Sequence, residues 1–333
     1  MILIDFPLDI FHHIGNEWIH FCDIVNIDSA MSNHSQRDVF LMILREHQNC
    51  FIFHEHEPSM ECLRWIWARG VAIDQLCLTP VTIMFMACQP VESVVFVLYR
   101  LTNVVIQDRC GCISESLCRC LITILTNLTD LRRLRSLVLN VHVNDSFRHV
   151  LHLLLTKAEK LESFRTKSRN RLYALNDQDV KTISILCPKL TSFQSDDYFT
   201  QIVTDMLTDK SMYSLADNSH MLSHLSIKQC RNINTSLVGL AYSPCAKHLR
   251  VLCLDMGEDS SITIANLSVL LARAPNLTLI TLTRYSLRTS EIVAGILAAI
   301  ACCCPQLIRK EGSCSFQLSE PFPPVKVIDL IID

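Results

Sequence analysis

The segment LRSLVL at residues 134–139 has leucine at its first, fourth and sixth positions, and LRVLCL at 249–254 has the same spacing. Neighbouring strings of this form begin 27 to 33 residues apart. A unit that recurs at this period predicts a solenoid of stacked repeats, with one strand formed by each string. With other apolar residues allowed, the strings begin at Ile73, Leu101, Leu134, Leu161, Leu190, Leu222, Leu249, Leu277 and, weakly, Leu307.

The residues between two strings have the pattern of an amphipathic helix. Either Asn144 or Asp145 can cap such a helix. Similar patterns lie at 113–125, 264–271 and 290–301. Each repeat is therefore predicted to contain one strand and one helix, which is an α/β architecture. In the clearest case the apolar residues are Phe147, Val150, Leu151, Leu154 and Leu155.

The joints between helix and strand also recur. Proline stands two residues before the strand leucine in LCPKL at 186–190, in RAPNL at 273–277 and in CCCPQL at 302–307. Proline there would end the helix and favour an extended approach to the strand. The C-terminal PFPPVKVIDLIID is predicted to close the last repeat with an edge strand.

Composition narrows the setting of the protein. The 17 cysteines are an odd number scattered through apolar segments, which indicates buried reduced thiols and favours the cytoplasm or the nucleus. A net charge of -3 argues against nucleic acid and anionic membrane as partners. The apolar stretch at 293–304 is shorter than the roughly 20 residues that a membrane-spanning helix needs.

The first fifty residues contain three short helical patterns. One includes Asp9, Phe11, Ile14 and Trp18, the second includes Asp23, Ile24, Ile27 and Ala30, and the third follows a cap at Ser35 with Val39, Phe40, Ile43 and Leu44. We expect a helical module over 1–46, a helical connector over 47–72, and a solenoid of about eight or nine repeats over 73–333.

The N-terminal module resembles the F-box, which opens with leucine-proline-x-glutamate followed by isoleucine or leucine. The matching positions here are Phe6, Pro7, Asp9, Ile10, Ile14, Asp23 and Ile24. Phe6 departs from the usual leucine, and IDSAMSN stands where a closing tryptophan and arginine are common. The segment at 222–241 is similar to the cysteine-containing leucine-rich repeat, with Leu222, Leu225, Ile227 and Cys230 at its pattern positions. The second resemblance implies a horseshoe like that of ribonuclease inhibitor, with parallel strands on the concave side.

Together these resemblances imply the substrate-recognition subunit of a cullin-RING (SCF-type) ubiquitin ligase. The F-box would dock on a Skp-type adaptor through Pro7, Ile10, Phe11, Ile14 and Ile24, and the repeats would hold a protein substrate. No catalysis and no cofactor are expected of this chain. The alternative is a leucine-rich scaffold for protein interactions without a ligase role, whose N-terminal helices only cap the solenoid.

The period of two along each strand predicts which side chains face outward. Residues between the strand leucines, and those just after the last of them, should leave the core and form two rows on the sheet. The charged members of these rows, Arg165, Lys167, Asp196, Lys228 and Asp255, are the candidate substrate contacts.

Two patterns suggest metal chemistry only weakly. Cys110, Cys112, Cys118 and Cys120 form C-x-C-x5-C-x-C, but tetrahedral zinc sites usually use C-x2-4-C pairs, and 113–125 has a helical pattern. HEHE at 54–57 lacks the histidine spacing of H-E-x-x-H. We therefore predict no metal site.

Overall fold

The computed structural model describes residues 21–46, 60–108, 113–128, 131–141, 143–167, 175–196, 207–227, 233, 235–255, 263–283 and 298. The chain divides into two compact units. Unit 1 comprises Met1–Ala174 with Leu186–Lys189, and unit 2 comprises Leu175–Ile185 with Leu190–Asp333.

Unit 1 combines helices with parallel strands. Within the unit, each strand pairs with the next one along the chain. Three helices precede the first strand: α1 (Phe21–Ala30), α2 (His34–Glu46) and α3 (Met60–Arg69). The remaining elements are β1 (Gln75–Leu78), α4 (Pro80–Ala87), α5 (Val91–Leu98), β2 (Asn103–Gln107), α6 (Glu115–Asn127), β3 (Ser136–Asn140), α7 (Asp145–Lys157) and β4 (Ser163–Thr166).

Unit 2 has the same alternation of strand and helix. Its strands are also parallel, and within the unit each pairs with the next one along the chain. Its elements are α8 (Asp177–Leu186, whose last residue is assigned to unit 1), β5 (Ser192–Ser195), α9 (Asp209–Asn218), β6 (His224–Ile227), α10 (Ser236–Tyr242), a 3-10 helix (Pro244–Lys247), β7 (Val251–Asp255), α11 (Ile264–Arg273) and β8 (Leu279–Thr283).

The predicted repeat boundaries are confirmed for the eight starts from Ile73 to Leu277. Each start residue is buried, and a strand begins two residues later in every case. The strands pair in the register that these starts predict, with Asn103 opposite Ser136 in unit 1 and His224 opposite Val251 in unit 2. Within each unit, equivalent positions of successive repeats therefore lie side by side. Leu307 lies outside the described residues.

Backbone hydrogen bonds lock the first turn of one repeat to the next. The carbonyl of Thr102 accepts from the amides of Arg135 and Ser136, at 2.7 and 3.0 Å. Arg250 accepts in the same way from Thr278 and Leu279, at 2.7 and 3.0 Å. This shared acceptor is found in both units and satisfies backbone amides at the start of the strand.

The helices predicted between the strings are confirmed where the structure describes them. Asn144 caps α7, because its side chain accepts from the amide of Phe147 at 2.8 Å, and the five apolar residues predicted for its inner face are buried. In α11 Leu267, Leu270 and Leu271 are buried. In α6 the inner face includes Cys118 and Ile124 beside Leu121 and Leu125. The segments 290–297 and 302–307 lie outside the described residues.

Proline ends helices as predicted at the two described joints. Helix α8 ends at Leu186 ahead of Pro188, and α11 ends at Arg273 ahead of Pro275. At the end of α3 the helix is ended by a glycine instead. Gly70 has φ of 57°, the left-handed conformation that closes helices, and the amide of Val71 reaches back to the carbonyl of Ile66 at 3.2 Å.

The predicted cap of the third N-terminal helix is wrong by two residues. Helix α2 begins at His34, and Asn33 caps it by accepting from the amide of Gln36 at 3.3 Å, so Ser35 lies inside the first turn. Phe40 and Leu44 are buried as predicted, whereas Val39 is exposed. The first pattern, from Asp9 to Trp18, lies outside the described residues.

The last core position of β4 departs from the repeat pattern. Leu78, Ile106 and Leu139 occupy this position in β1 to β3, whereas β4 has Thr166. Thr166 is fully buried, and its Oγ1 has no hydrogen-bond partner among the residues described. A buried hydroxyl without a partner costs stability.

Replacing Thr166 with valine is therefore expected to raise the free energy of unfolding by about 1 kcal/mol, because an unsatisfied hydroxyl becomes a methyl group. Urea titration measures the change. Thr79→Val is the matched control, since the buried Thr79 Oγ1 lies 3.0 Å from Thr82 Oγ1 and accepts from the amide of Thr82 at 3.2 Å. Thr79→Val should have a lower free energy of unfolding than the wild type. Equal destabilisation by both substitutions would contradict the conclusion that the hydroxyl of Thr166 is unsatisfied.

Candidate functional site

One carboxylate joins the helices α1 to α3, which are called the helical module from here on and include α3 from the predicted connector. Asp28 of α1 accepts from Arg37 of α2 through two bonds, Nε to Oδ1 at 2.7 Å and Nη2 to Oδ2 at 2.9 Å. From α3, the indole Nε1 of Trp65 donates to Oδ2 at 2.7 Å, and Arg69 Nε donates to the same oxygen at 3.1 Å. One side chain thus joins all three helices.

The carboxylate is fully buried while its two arginines reach the surface. The side chain of Asp28 is 0% exposed, against 24% for Arg37 and 31% for Arg69. The hydrogen bond from Arg37 outweighs the opposing effect of burial and, with Trp65 and the charge of Arg69, lowers the pKa of Asp28 to about 2. Asp28 is therefore ionised at neutral pH and serves as an anchor between helices.

Because the pKa of Asp28 is lowered on folding, the free energy of unfolding of the helical module depends on pH. Because the pKa of Asp28 falls from 3.8 to about 2 on folding, its contribution is complete above about pH 5 and is lost as the pH falls toward 2. Comparing the unfolding free energies of the wild type and Asp28→Ala at pH 6 and at pH 2.5 should show the gap shrinking by about 2 kcal/mol. A gap independent of pH would contradict this assignment.

One of the predicted adaptor contacts lies inside the chain. Ile24 is 4% exposed, so the prediction that it contributes to an accessible apolar face is wrong. Ile24 precedes Asp28 by four residues and shares its side of α1, which faces inward. Pro7, Ile10, Phe11 and Ile14 lie outside the described residues.

The predicted alternation of strand side chains holds in β2 to β5, but in β1 and β6 three successive residues are buried. In β3 and β4 core residues alternate with half-exposed ones, and Arg165 is among the half-exposed. Lys167, just beyond β4, is half-exposed too, and its amide donates to the carbonyl of Leu139 at 2.7 Å. These two predicted contacts therefore lie in unit 1, on neighbouring positions of an accessible strand face.

The prediction fails at Asp196. This residue is 5% exposed, so it is not available as a surface contact. The inside–outside alternation holds through Ser195, where β5 ends, and Asp196 is no longer bound by it. Asp255 is the last residue of β7 and is paired with Thr283, and Lys228 lies outside the described residues.

Unit 2 contains hydrogen bonds between successive repeats that the sequence patterns do not predict. Asp177, the first residue of α8, accepts from the amide and hydroxyl of Thr208 at 2.8 and 2.7 Å and from the hydroxyl of Ser211. Burial opposes ionisation, yet these hydrogen bonds prevail and lower the pKa of Asp177. Asp209 of α9 binds the amide and hydroxyl of Thr235 in the same way, at 3.1 and 2.6 Å. Each aspartate thus accepts hydrogen bonds from residues at the start of the helix in the next repeat.

The described residues contain no cluster of histidine, cysteine or acidic side chains suited to hold a metal ion. Of the four cysteines considered for zinc, Cys118 is buried in α6 and Cys120 is half-buried, while Cys110 and Cys112 lie outside the described part of the chain. None of the helices that the structure describes is both long and apolar enough to cross a bilayer.

The strand–helix repeats and their register define an α/β protein of parallel strand–helix repeats, with helices ahead of the first strand, and this arrangement is compatible with the leucine-rich-repeat fold. No family model matches the chain, and no curated protein matches it. Similar solved structures include a chain of the TLR13–ssRNA13 complex (14% identity, TM-score 0.40, covering 64% of this chain and 26% of that one). Another is from the yeast Rad7–Elc1 complex (16% identity, TM-score 0.42, covering 88% of this chain and 73% of that one). The chain spans about a quarter of the length of the TLR13 chain.

Proposed function

We propose that this protein is the substrate-recognition subunit of a cullin-RING (SCF-type) ubiquitin ligase. The observation that carries the proposal is the two-part arrangement of unit 1, in which α1 to α3 are tied together at Asp28 immediately ahead of leucine-rich strand–helix repeats. This is the order of parts that the F-box and leucine-rich resemblances predict. The chain positions a substrate, and a partner enzyme transfers ubiquitin.

Adaptor docking would use the segment before α1. Pro7, Ile10, Phe11 and Ile14 supply apolar side chains whose burial against a groove stabilises a complex by about 25 cal/mol per Å². Ile24 is buried, so it is not among the contacts of this proposal. Asp28 holds α1 to α2 and α3.

The repeats would bind the substrate through strand side chains. Arg165 and Lys167 are half-exposed at the end of β4, and both are cations. They favour a partner with acidic groups at that position.

Co-purification with a Skp-type adaptor tests the proposal. The wild type should retain the adaptor, and the double variant Pro7→Glu/Ile10→Glu should lose it, because two charges would enter an apolar contact. Ile185→Glu/Met221→Glu is the control, since both residues are exposed apolar side chains far along the chain. Undiminished capture by the N-terminal double variant would sink the proposal.

A second candidate, a leucine-rich interaction scaffold without a ligase role, is favoured by one observation. Ile24, Phe40 and Leu44 are buried in the chain itself, as they would be if α1 and α2 served as a cap. Under this candidate, removing residues 1–46 should lower the melting temperature of the remainder, and the intact chain should bind no adaptor at any concentration tested. Adaptor capture by the intact chain would rule it out.

A further inference from the structure

Basic residues recur at one position of the repeat. The residue immediately before the start of the string is Arg100, Arg133, Lys160 and Lys189 in four consecutive repeats, and all four belong to unit 1. Arg133, Lys160 and Lys189 are exposed, and Arg100 is half-exposed. Among the starts confirmed by the structure, no other repeat has lysine or arginine there.

The register of unit 1 places three of these cations in a row. Asn103, Ser136 and Ser163 are paired across β2, β3 and β4, so the preceding turns lie next to one another. Shared hydrogen bonds join these turns, with the amide of Arg135 donating to Thr102 and that of Glu162 to Arg135, at 2.7 and 2.8 Å. We call Arg100, Arg133 and Lys160 the basic stripe.

The surroundings of the basic stripe add positive charge. The segments before β3 and β4 also contain Arg132 and Arg135, and their carboxylates are Asp130, Glu159 and Glu162, so cations outnumber carboxylates along the basic stripe. Glu162 is already paired with Arg135. A local excess of cations on a chain of net charge -3 attracts an anionic partner to this edge.

Compensation of helix dipoles does not account for the basic stripe. Cations do favour helix C-termini, and Lys157 takes that role where its Nζ donates to the carbonyl of Leu128, just past α6, at 2.5 Å. The stripe residues follow the helix ends, and within the described chain Arg133 and Lys160 take part in no ion pair. Arg100 stacks on the ring of Tyr99, 5.2 Å from its centroid.

We propose that the basic stripe binds an acidic helical segment of a partner protein. Neighbouring strands are about 4.8 Å apart, so the three cations recur at about that distance. Acidic side chains at i, i+4 and i+7 of a helix recur at about 5–6 Å and match this row. This inference deepens the proposed function and rests on it in one respect. Only if the proposed function is correct is the bound segment part of a substrate.

The probe is a 15-residue alanine-based peptide with three glutamates at i, i+4 and i+7, compared with the same peptide carrying glutamine. Fluorescence anisotropy should show the full-length protein binding the glutamate peptide at least about tenfold more tightly, with affinity falling as salt increases. Arg133→Glu/Lys160→Glu should reduce binding by about tenfold or more, and Arg133→Gln/Lys160→Gln by less.

The control variant is Lys181→Glu/Lys210→Glu, which changes charge equally at exposed lysines of unit 2 and should bind the peptide as the wild type does. Equal loss in this control, or equal binding of both peptides, would overturn the proposal. Stripe-dependent binding of a single-stranded oligothymidylate in preference to the peptide would also overturn it, because it assigns the stripe to nucleic acid. Adaptor capture by the stripe variants, measured alongside, separates this outcome from failure of the proposed function.

Discussion

Replacing Asp28 with alanine is expected to lower the free energy of unfolding of the helical module by about 3 kcal/mol, because the indole of Trp65 and two partly exposed guanidinium groups lose their shared acceptor. Arg37, Trp65 and Arg69 would all lose the acceptor that joins α2 and α3 to α1. Urea unfolding followed by tryptophan fluorescence measures this directly, because Trp65 is itself one of the donors.

The matched control for Asp28 is Glu61→Gln, which also removes one negative charge but at an exposed position in the first turn of α3. It should cost less than about 1 kcal/mol, the value of a surface charge near a helix N-terminus. If Asp28→Ala is no more disruptive than Glu61→Gln, the carboxylate is not the anchor of the module.

Replacing Asp177 with alanine is expected to destabilise the start of unit 2 by about 2–3 kcal/mol, since hydrogen bonds to charged groups contribute about 1.5–3 kcal/mol. The amide of Thr208 and the hydroxyl of Ser211, a fully buried residue, would lose their acceptor. Hydrogen exchange of the α9 amides measures the local opening free energy and should show faster exchange in the variant.

Asp145→Ala provides the comparison, because Asp145 is likewise the first residue of its helix. Its side chain is 97% exposed and pairs with Arg148 one turn on, so the expected loss is below about 1 kcal/mol. Equal effects at Asp145 and Asp177 would mean that only the helix dipole is at work and that the bond between repeats adds nothing.

Much of the fold could be predicted because the same pattern recurs in each repeat. A core residue such as Leu134 or Leu249 is followed by a strand pattern and then by a helix pattern. Because the next repeat has the same order, a segment that is ambiguous alone can be assigned from its neighbours. The repeat boundaries are confirmed to the residue, because every described strand begins two positions after the first residue of its predicted repeat. The joints at Pro188 and Pro275 follow from backbone chemistry alone.

The contacts between repeats and helices could not be predicted in this way. The partners of Asp28 are 9, 37 and 41 residues away, and those of Asp177 are 31 and 34 residues away. The sequence does contain two indications of these contacts. Aspartate is the first residue of a helix at 145, 177 and 209, at intervals of 32 residues. The charged residue Asp28 also interrupts the apolar pattern of α1.

The exposure of single residues was the weakest part of the sequence reasoning. The F-box-like pattern predicts an outer position for Ile24, yet Asp28 turns that side of α1 toward α2 and α3. The period of two predicts an outward position for Asp196, but the strand ends one residue earlier. The first error arises from contacts between helices and the second from the end of a strand, and the local pattern contains neither.

The central claim is that the N-terminal helices bind a Skp-type adaptor, and titration calorimetry with purified adaptor tests it most directly. We expect a one-to-one complex with the full chain, and binding weakened at least about a hundredfold by Pro7→Glu/Ile10→Glu, a loss of about 2.7 kcal/mol. The melting temperature of that variant should match the wild type, which excludes unfolding as the cause. No heat of binding with the full chain, or equal affinity for the double variant, would contradict the claim.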